Sequence, residues 1–381
     1  MSWTELQQKI IARAVATGTL VTGTFELTAR CNLQCRMCYV CRAANDRDAM
    51  RDELTANQWI RLAEEARDQG LLYVTLTGGE VFLRKDFPEI YRQLCNLGLY
   101  MQIFTNGTLI TPAVVDWLSR IPPMKVSITL YGASRETCAR VTGFADSYDR
   151  TVRAIDLLLD AGIKTEVKTT VVQGNRQDFD ALSEFAQVRG LPIGVVNYIS
   201  PRREGMNSNP EGNRLSPAEL IDYEQLLEDR NRQLRESGEG SSDFSDAFDA
   251  SALQEIAANM RPNDDHPFRC ASGRSAAWFS WNGKLIPCGL MSEPRVDFAE
   301  DGVERAWDVL KAACAVVPNC SECLACKYSA YCHSCPGRRL TESGRPDKAA
   351  PYLCDAAVLR YNQQIGKGEM ENHETEKVQQ A

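Results

Sequence analysis

Short apolar runs rich in β-branched residues alternate with amphipathic stretches through the first half of the chain. Segments 23–29, 72–80, 100–107, 125–132, 165–172 and 193–200 read as strands. They are apolar almost throughout, as strands covered on both faces tend to be. Between them, 54–70, 87–98, 111–120, 149–162 and 178–190 carry apolar residues at helical spacing. Punctuation agrees with this pattern: Thr55 can cap the first of these helices, Pro112 sits in a first turn, and Gly70 and Gly98 stand at helix ends. Strand–helix alternation at roughly 30-residue spacing predicts right-handed crossovers and a parallel sheet. The expected fold is α/β, a partial (β/α)6 TIM-like parallel barrel. A doubly wound open sheet accounts for the same alternation.

After Ser200 the pattern changes. A polar loop leads to a long helix over 216–236 capped by Ser216, then a flexible stretch and a short helix over 252–260. Asn282-Gly283 is a hairpin turn signal. The chain divides into an N-terminal helix (1–20), a barrel (21–215), bridging helices (216–262), a cysteine-rich domain (263–360) and a disordered tail (361–381).

The chain has 381 residues, 44% of them hydrophobic, which is ample for a core. Its net charge of −8 argues against a nucleic-acid-binding surface. No run of about 18 apolar residues predicts a membrane span, and the N-terminus lacks the apolar block of a signal peptide. A cytoplasmic location is therefore expected. Fifteen cysteines in a reducing compartment are not expected to form disulfides, and metal or cluster ligation explains them better.

Six cysteines precede Ser200, and the spacing of three of them carries chemistry. Cys31, Cys35 and Cys38 form C-x3-C-x2-C directly after the first strand. Three thiolates on one loop can hold three irons of a [4Fe–4S] cubane and leave the fourth iron open to a chelating molecule. By itself the spacing could also be part of a zinc site. Thr77-Gly78-Gly79-Glu80 follows at the end of the second strand, where parallel barrels place their active sites.

With Tyr39 after the third cysteine, the TGGE sequence and the continuing β/α series, residues 20–360 resemble the radical S-adenosylmethionine (SAM) superfamily. The resemblance implies that SAM binds the open iron and is cleaved reductively to a 5′-deoxyadenosyl radical, which abstracts hydrogen from a substrate. It implies that Gly78 and Gly79 let the backbone approach SAM and that Glu80 accepts from its ammonium group. Tyr39, Thr105, Asn106, Ser127, Thr129 and Lys168 are further SAM-pocket candidates. Cys41 is read as a bystander, Cys95 and Cys138 as buried packing residues, and Cys314 as structural.

The C-terminal cysteines resemble the SPASM extension of this superfamily. That resemblance assigns Cys323, Cys326, Cys332 and Cys354 to a distal auxiliary [4Fe–4S] cluster, and Cys270, Cys288 and Cys335 to a nearer one. Cys320 is a candidate for its fourth ligand. A zinc ribbon is the alternative for the two C-x2-C pairs.

SPASM proteins often modify ribosomally made peptides, so a peptide is the expected substrate, with a thioether or carbon–carbon cross-link or a related oxidation as product. An external electron donor such as flavodoxin or ferredoxin, and a separate leader-peptide-binding protein, are the implied partners. The catalytic base is not identified. A small-molecule dehydrogenase is an alternative, as is a non-catalytic zinc or iron–sulfur protein. A sulfatase-maturase-like enzyme is a further one, although Gly289 follows Cys288 where those enzymes carry an aspartate.

Overall fold

The structure, a computed structural model, describes residues 3–40, 42–203, 209–236 and 265–379. Cys41, the stretch 237–248 and the expected helix over 252–260 lie outside the described residues. The chain forms two compact units, 1–214 with 241–316 and 215–240 with 317–381. This differs from the expected division: the Asn282-Gly283 hairpin belongs with the barrel, and the long helix after Ser216 belongs with the last cysteines.

In the first unit, helix α1 (Trp3–Thr17) leads into β1 (Thr22–Glu26). The series continues with α2 (Ala56–Asp68), β2 (Tyr73–Thr77), α3 (Phe87–Asn96), β3 (Tyr100–Thr105), α4 (Pro112–Arg120), β4 (Lys125–Thr129), α5 (Ser147–Asp160), β5 (Thr165–Thr170), α6 (Phe179–Val188) and β6 (Ile193–Val196). Every expected strand–helix pair is present. Thr55 caps α2 in a reciprocal box with Gln58. The face of α2 bearing Trp59, Leu62, Ala63 and Ala66 is buried. Phe25 of β1 meets Trp59 with ring centroids 5.2 Å apart.

Sequence reading missed how the sheet is extended. Strand β7 (Ala276–Phe279) pairs in parallel with β1, Thr22 opposite Ala276 and Phe25 opposite Phe279. Strands β8 (Lys284–Ile286) and β9 (Val296–Asp297) add antiparallel edges, giving the order β9-β8-β7-β1-β2-β3-β4-β5-β6. The hairpin turn lies where expected, with Gly283 at φ +83°. A helix over Val303–Ala315 closes this unit and buries Cys314.

The strands also differ from the all-apolar expectation. Along a strand, side chains alternate between faces. Outward residues such as Phe25, Leu76, Ile103 and Ile128 are fully buried. The other face carries Glu26, Thr75, Gln102, Lys125 and Ser127, all at most 2% exposed. Gln102 donates to Thr75 at 2.7 Å. The concave side of the sheet is therefore lined by polar groups that bond one another.

In the second unit, α7 (Pro217–Glu236) lies against α10 (Pro351–Gln379), with α9 (Pro336–Ser343) between them in sequence and α8 denoting the Val303–Ala315 helix of the first unit. Arg360 of α10 pairs with Glu224 of α7 through two bonds of 2.7 and 2.8 Å. Tyr352 donates to the Leu215 carbonyl at 2.9 Å. Helix α10 runs from Pro351 to Gln379.

Candidate active site

The loop after β1 folds back into the barrel mouth. Cys31, Leu33, Cys35 and Met37 form a buried cluster with Val141, Val172 and Ile199, and Cys38, Tyr131 and Phe144 pack against it. The cysteine spacing thus brings the three thiols to one place, and the apolar residues between them anchor the loop. Burial pushes the Cys35 thiol well above its ordinary pKa, and the neighbouring Cys38 and Cys31 push it the same way. A hydrogen bond with Tyr131 opposes this. Tyr131 was not singled out from sequence, because a tyrosine after a strand carries no distinguishing signal.

Among the described residues, no three Cys, His, Asp or Glu side chains form a single-ion cage. A cubane takes its three thiolates on three different irons, so they need not share one ion's shell. Three soft sulfur donors on one sheltered loop suit an iron–sulfur cluster.

The TGGE segment packs directly on the chain that leads into Cys31. Gly79 N–H donates to Thr28 O at 2.7 Å, and Glu80 N–H donates to Arg30 O at 2.9 Å. A Cβ on Gly78 would lie 2.2 Å from Thr28 O, and one on Gly79 would lie 2.2 Å from Arg30 O. The missing side chains let the Thr28–Arg30 backbone approach closely.

Glu80 is fully buried. It accepts from Thr105 Oγ at 2.7 Å, from Asn106 N–H at 2.8 Å and from Phe82 N–H at 3.2 Å. Burial raises its carboxyl from 4.5 to about 7, against the lowering effect of these donors. Asn106 Nδ2 lies 3.6 Å from Cys31 Sγ and 3.1 Å from Asn32 Oδ1. Glu80, Thr105 and Asn106 are therefore gathered beside the first cysteine.

Ser127 and Lys168 both engage Glu166. Ser127 donates to Glu166, and Lys168 Nζ lies 3.3 Å from the same carboxylate. Lys125 pairs with Glu166 at 2.6 Å. Lys168 also stands 4.1 Å from the Phe104 ring centre. Two lysines and a serine thus converge on Glu166, which balances charge inside the barrel. Thr129 is half-buried at the end of β4, in register with Lys168 of β5.

A buried ion pair beside the cysteine loop was not foreseen. Glu26, the last residue of β1, receives Arg203 Nη2 at 3.0 Å on both oxygens and Trp278 Nε1 at 2.7 Å. Arg203 also donates to Gly289 O at 3.2 Å, and its guanidinium lies 5.6 Å from the Tyr39 ring centre. The Arg203 and Glu26 side chains are 3% and 1% exposed. This pair connects the residue after Cys38 to the residue after Cys288.

The remaining cysteines fall into both units. In the first, Cys270 is near enough to Cys314 to raise its thiol, which burial chiefly pushes up to about 12. Cys314 packs against Gly273, as a structural residue would. In the second unit, burial raises the Cys354 thiol, with Cys332 and Cys326 adding to the shift, so these three are neighbours. Cys335 caps α9, its sulfur accepting from Arg338 N–H at 3.4 Å. Cys320 and Cys323 are placed side by side as a disulfide pair. The x2 spacing at the start of a short helix puts both sulfurs at one point, a geometry that serves a disulfide or a shared cluster.

Residues 25–187 match the model of the Radical SAM superfamily. An AdoMet-dependent heme synthase of Methanosarcina barkeri is 26% identical over 86% of this chain and 94% of its own length. A PqqA peptide cyclase of Granulibacter bethesdensis is 28% identical over 43% of each chain, so less than half of that relative is spanned. Among solved structures, Streptococcus suis SuiB bound to S-adenosylmethionine superposes with a TM-score of 0.66 at 17% identity, over 92% of this chain and 82% of its own. That likeness establishes a shared fold. No described helix is long and apolar enough to cross a membrane. The family match sets aside the non-catalytic reading and implies a [4Fe–4S] cluster with S-adenosylmethionine. With its cysteine loop after β1 and the TGGE segment packed against it, the stretch 25–187 forms a Radical SAM domain.

Proposed function

We propose that this enzyme cleaves SAM reductively and oxidises a ribosomally made peptide, forming a thioether, a carbon–carbon cross-link or a related modification. The observation that carries the radical step is the buried pair Cys31 and Cys35, with the partly buried Cys38 packed against them, beside the Glu80–Thr105–Asn106 group. A cluster held there would supply the electron for reductive cleavage of SAM, and the cleaved SAM would serve as the hydrogen-atom acceptor for the substrate. The chain's own part is positional. Cys31, Cys35 and Cys38 would hold the cluster, Glu80 would offer a carboxylate to the SAM ammonium group, and Tyr39 would shield the cluster. The apolar wall of Val141, Val172 and Ile199 keeps water from the loop.

The peptide reading is supported by similarity to a PqqA peptide cyclase and by the polar concave face, which can bond a peptide backbone. Two auxiliary [4Fe–4S] clusters complete it. Cys323, Cys326, Cys332 and Cys354 hold the distal one in this reading, and Cys270, Cys288 and Cys335 hold the nearer one with Cys320 as a candidate. Cluster assembly then requires Cys320 and Cys323 as thiols. Flavodoxin or ferredoxin is the proposed electron donor, and a separate protein presents the leader peptide. A second reading, a small-molecule oxidation on a tetrapyrrole, is favoured by the alignment with an AdoMet-dependent heme synthase over 94% of its length.

Anaerobic reconstitution with iron and sulfide, then dithionite and SAM, tests the proposal. About twelve irons per chain and formation of 5′-deoxyadenosine are expected, since each cubane holds four irons. Cys35→Ala should abolish 5′-deoxyadenosine. A wild-type protein that binds about eight irons lacks one auxiliary cluster, and one that forms no 5′-deoxyadenosine refutes the radical step.

A further inference from the structure

Arg203 has a second face. A cleft of about 370 Å³, partly open to solvent, is lined by Arg203, Ser280, Asn282, Lys284, Ile286, Ser292 and Arg295. Three of these are cations and three are neutral polar residues, and among the described residues no acidic side chain lines the wall.

The cations are held by carboxylates that stand outside the lining. Arg203 is fixed by Glu26 at 3.0 Å, Lys284 pairs with Asp297, and Arg295 Nε pairs with Glu293 at 3.1 Å. Each is thereby oriented, and a guanidinium has five N–H donors in a planar fork that suits a carboxylate. Asn282 accepts from Ser280 Oγ at 2.7 Å through its carbonyl oxygen, so the other half of its amide is the donor group NH2. The cleft sits at the C-terminal end of β7, which runs parallel to β1, so it opens at the same end of the sheet as Glu26. Arg203 is its shared wall with the site, since the same guanidinium stands over Tyr39 and bonds the residue after Cys288.

We infer that this cleft binds a carboxylate of the substrate and so selects acidic substrates for the radical site. The inference rests on the proposed function and narrows its substrate class. Binding one carboxylate here would fix a substrate against Arg203 while the part to be oxidised reaches past Tyr39 towards the cysteine loop. An acidic peptide side chain and the carboxylate of a tetrapyrrole present the same group, and the test separates them.

The full-length protein, reconstituted anaerobically, is titrated calorimetrically with N-acetyl-Gly-Glu-Glu-Gly-amide and with its Gln-Gln counterpart. A parallel arm uses coproporphyrin III and its tetramethyl ester. The acid should bind about tenfold or more tightly than its neutral partner in at least one arm, the size expected when a charge-assisted bond is lost. The arm showing the preference names the source. Lys284→Gln with Arg295→Gln should erase the preference, and Arg295→Gln alone, at an exposed position, should reduce it without a folding defect. Equal binding of acid and neutral ligands in both arms, no binding in either, or an undiminished preference in the double variant overturns the inference. Inorganic phosphate competing as well as the dicarboxylic peptide overturns the assignment to carboxylate. Formation of 5′-deoxyadenosine by the wild-type protein without these ligands tests the radical function separately.

Discussion

Glu80→Gln should change how stability responds to pH, and by an amount the structure sets. The Glu80 carboxyl titrates near 7 in the folded chain because burial disfavours its charge, against a usual 4.5. Between those values the folded state holds a proton that the unfolded state has lost. Its stabilising contribution is therefore complete below about pH 4.5, falls as pH rises, and is gone above about pH 7. A shift from 4.5 to about 7 corresponds to a loss of about 3 kcal/mol across that window. Glutamine cannot titrate, but it has its own cost. Oε1 of Glu80 accepts from Thr105 and Phe82 while Oε2 accepts from Asn106 N–H. An amide placed there turns a donor against one of those N–H groups, at about 1–3 kcal/mol. The variant should therefore be the less stable protein at pH 5 and should equal or exceed wild type at pH 8. Urea unfolding of the apoprotein from pH 4.5 to 8.5, under reductant and without oxygen, measures this. Parallel stability profiles for the two proteins would refute the assignment of a titrating carboxyl to this position. The same ionisation has a functional consequence, because only the carboxylate can accept from an ammonium group. SAM affinity of the loaded enzyme should rise as pH increases through 7.

Three further outcomes follow from packing. Gly79→Ala puts a Cβ 2.2 Å from Arg30 O and 2.5 Å from Arg30 C; since both are backbone atoms, a loss of more than about 3 kcal/mol is expected, and a denaturation midpoint near wild type would contradict the packing described. Arg203→Met should cost about 3–5 kcal/mol by leaving Glu26 charged and buried, and adding Glu26→Gln should recover part of it, as a double-mutant cycle by urea unfolding would reveal. Thr55→Ala removes the exposed capping box of α2 and should lower stability by about 1 kcal/mol, read as a small shift in thermal midpoint.

Local features were legible in the sequence wherever a residue type answers a local demand. Thr55 caps, Pro112 starts a helix, and Gly283 turns a hairpin, each within a few residues of the structure it controls. The three cysteines and the TGGE segment were legible because few patterns put those groups at successive strand ends. Long-range pairings were not. Strand β7 joins the edge of β1 from about 250 residues away in sequence, and nothing local in either strand says so. Glu26 and Arg203 each look like ordinary surface charges until both are seen buried on the same atoms. The partner shared by Ser127 and Lys168 was hidden for the same reason, since Glu166 lies on the neighbouring strand or two residues away. C-x2-C spacing at Cys320 and Cys323 is equally good for a cluster and for the disulfide found there.

The residues from Phe25 to Cys31 explain why so few motifs sufficed to find the site. Phe25 faces outward and is locked between Trp59 and Phe279, with ring centroids 5.2 and 4.8 Å away. Its neighbour Glu26 necessarily faces the other way, where it holds Arg203 and Trp278. The backbone of Thr28–Arg30 then receives Gly79 and Glu80, and Cys31 follows at once. One strand end thus fixes the cysteine loop, the Glu80 carboxyl and the guanidinium wall relative to one another by three independent contacts. A one-residue slip of β1 would turn Phe25 into the polar interior and Glu26 into the aromatic core, so its register is strongly determined. Placement of the radical-generating residues is therefore a consequence of the core packing of β1. Substitutions on the outward side of that strand, far from any cysteine, should disturb SAM cleavage as much as they disturb stability.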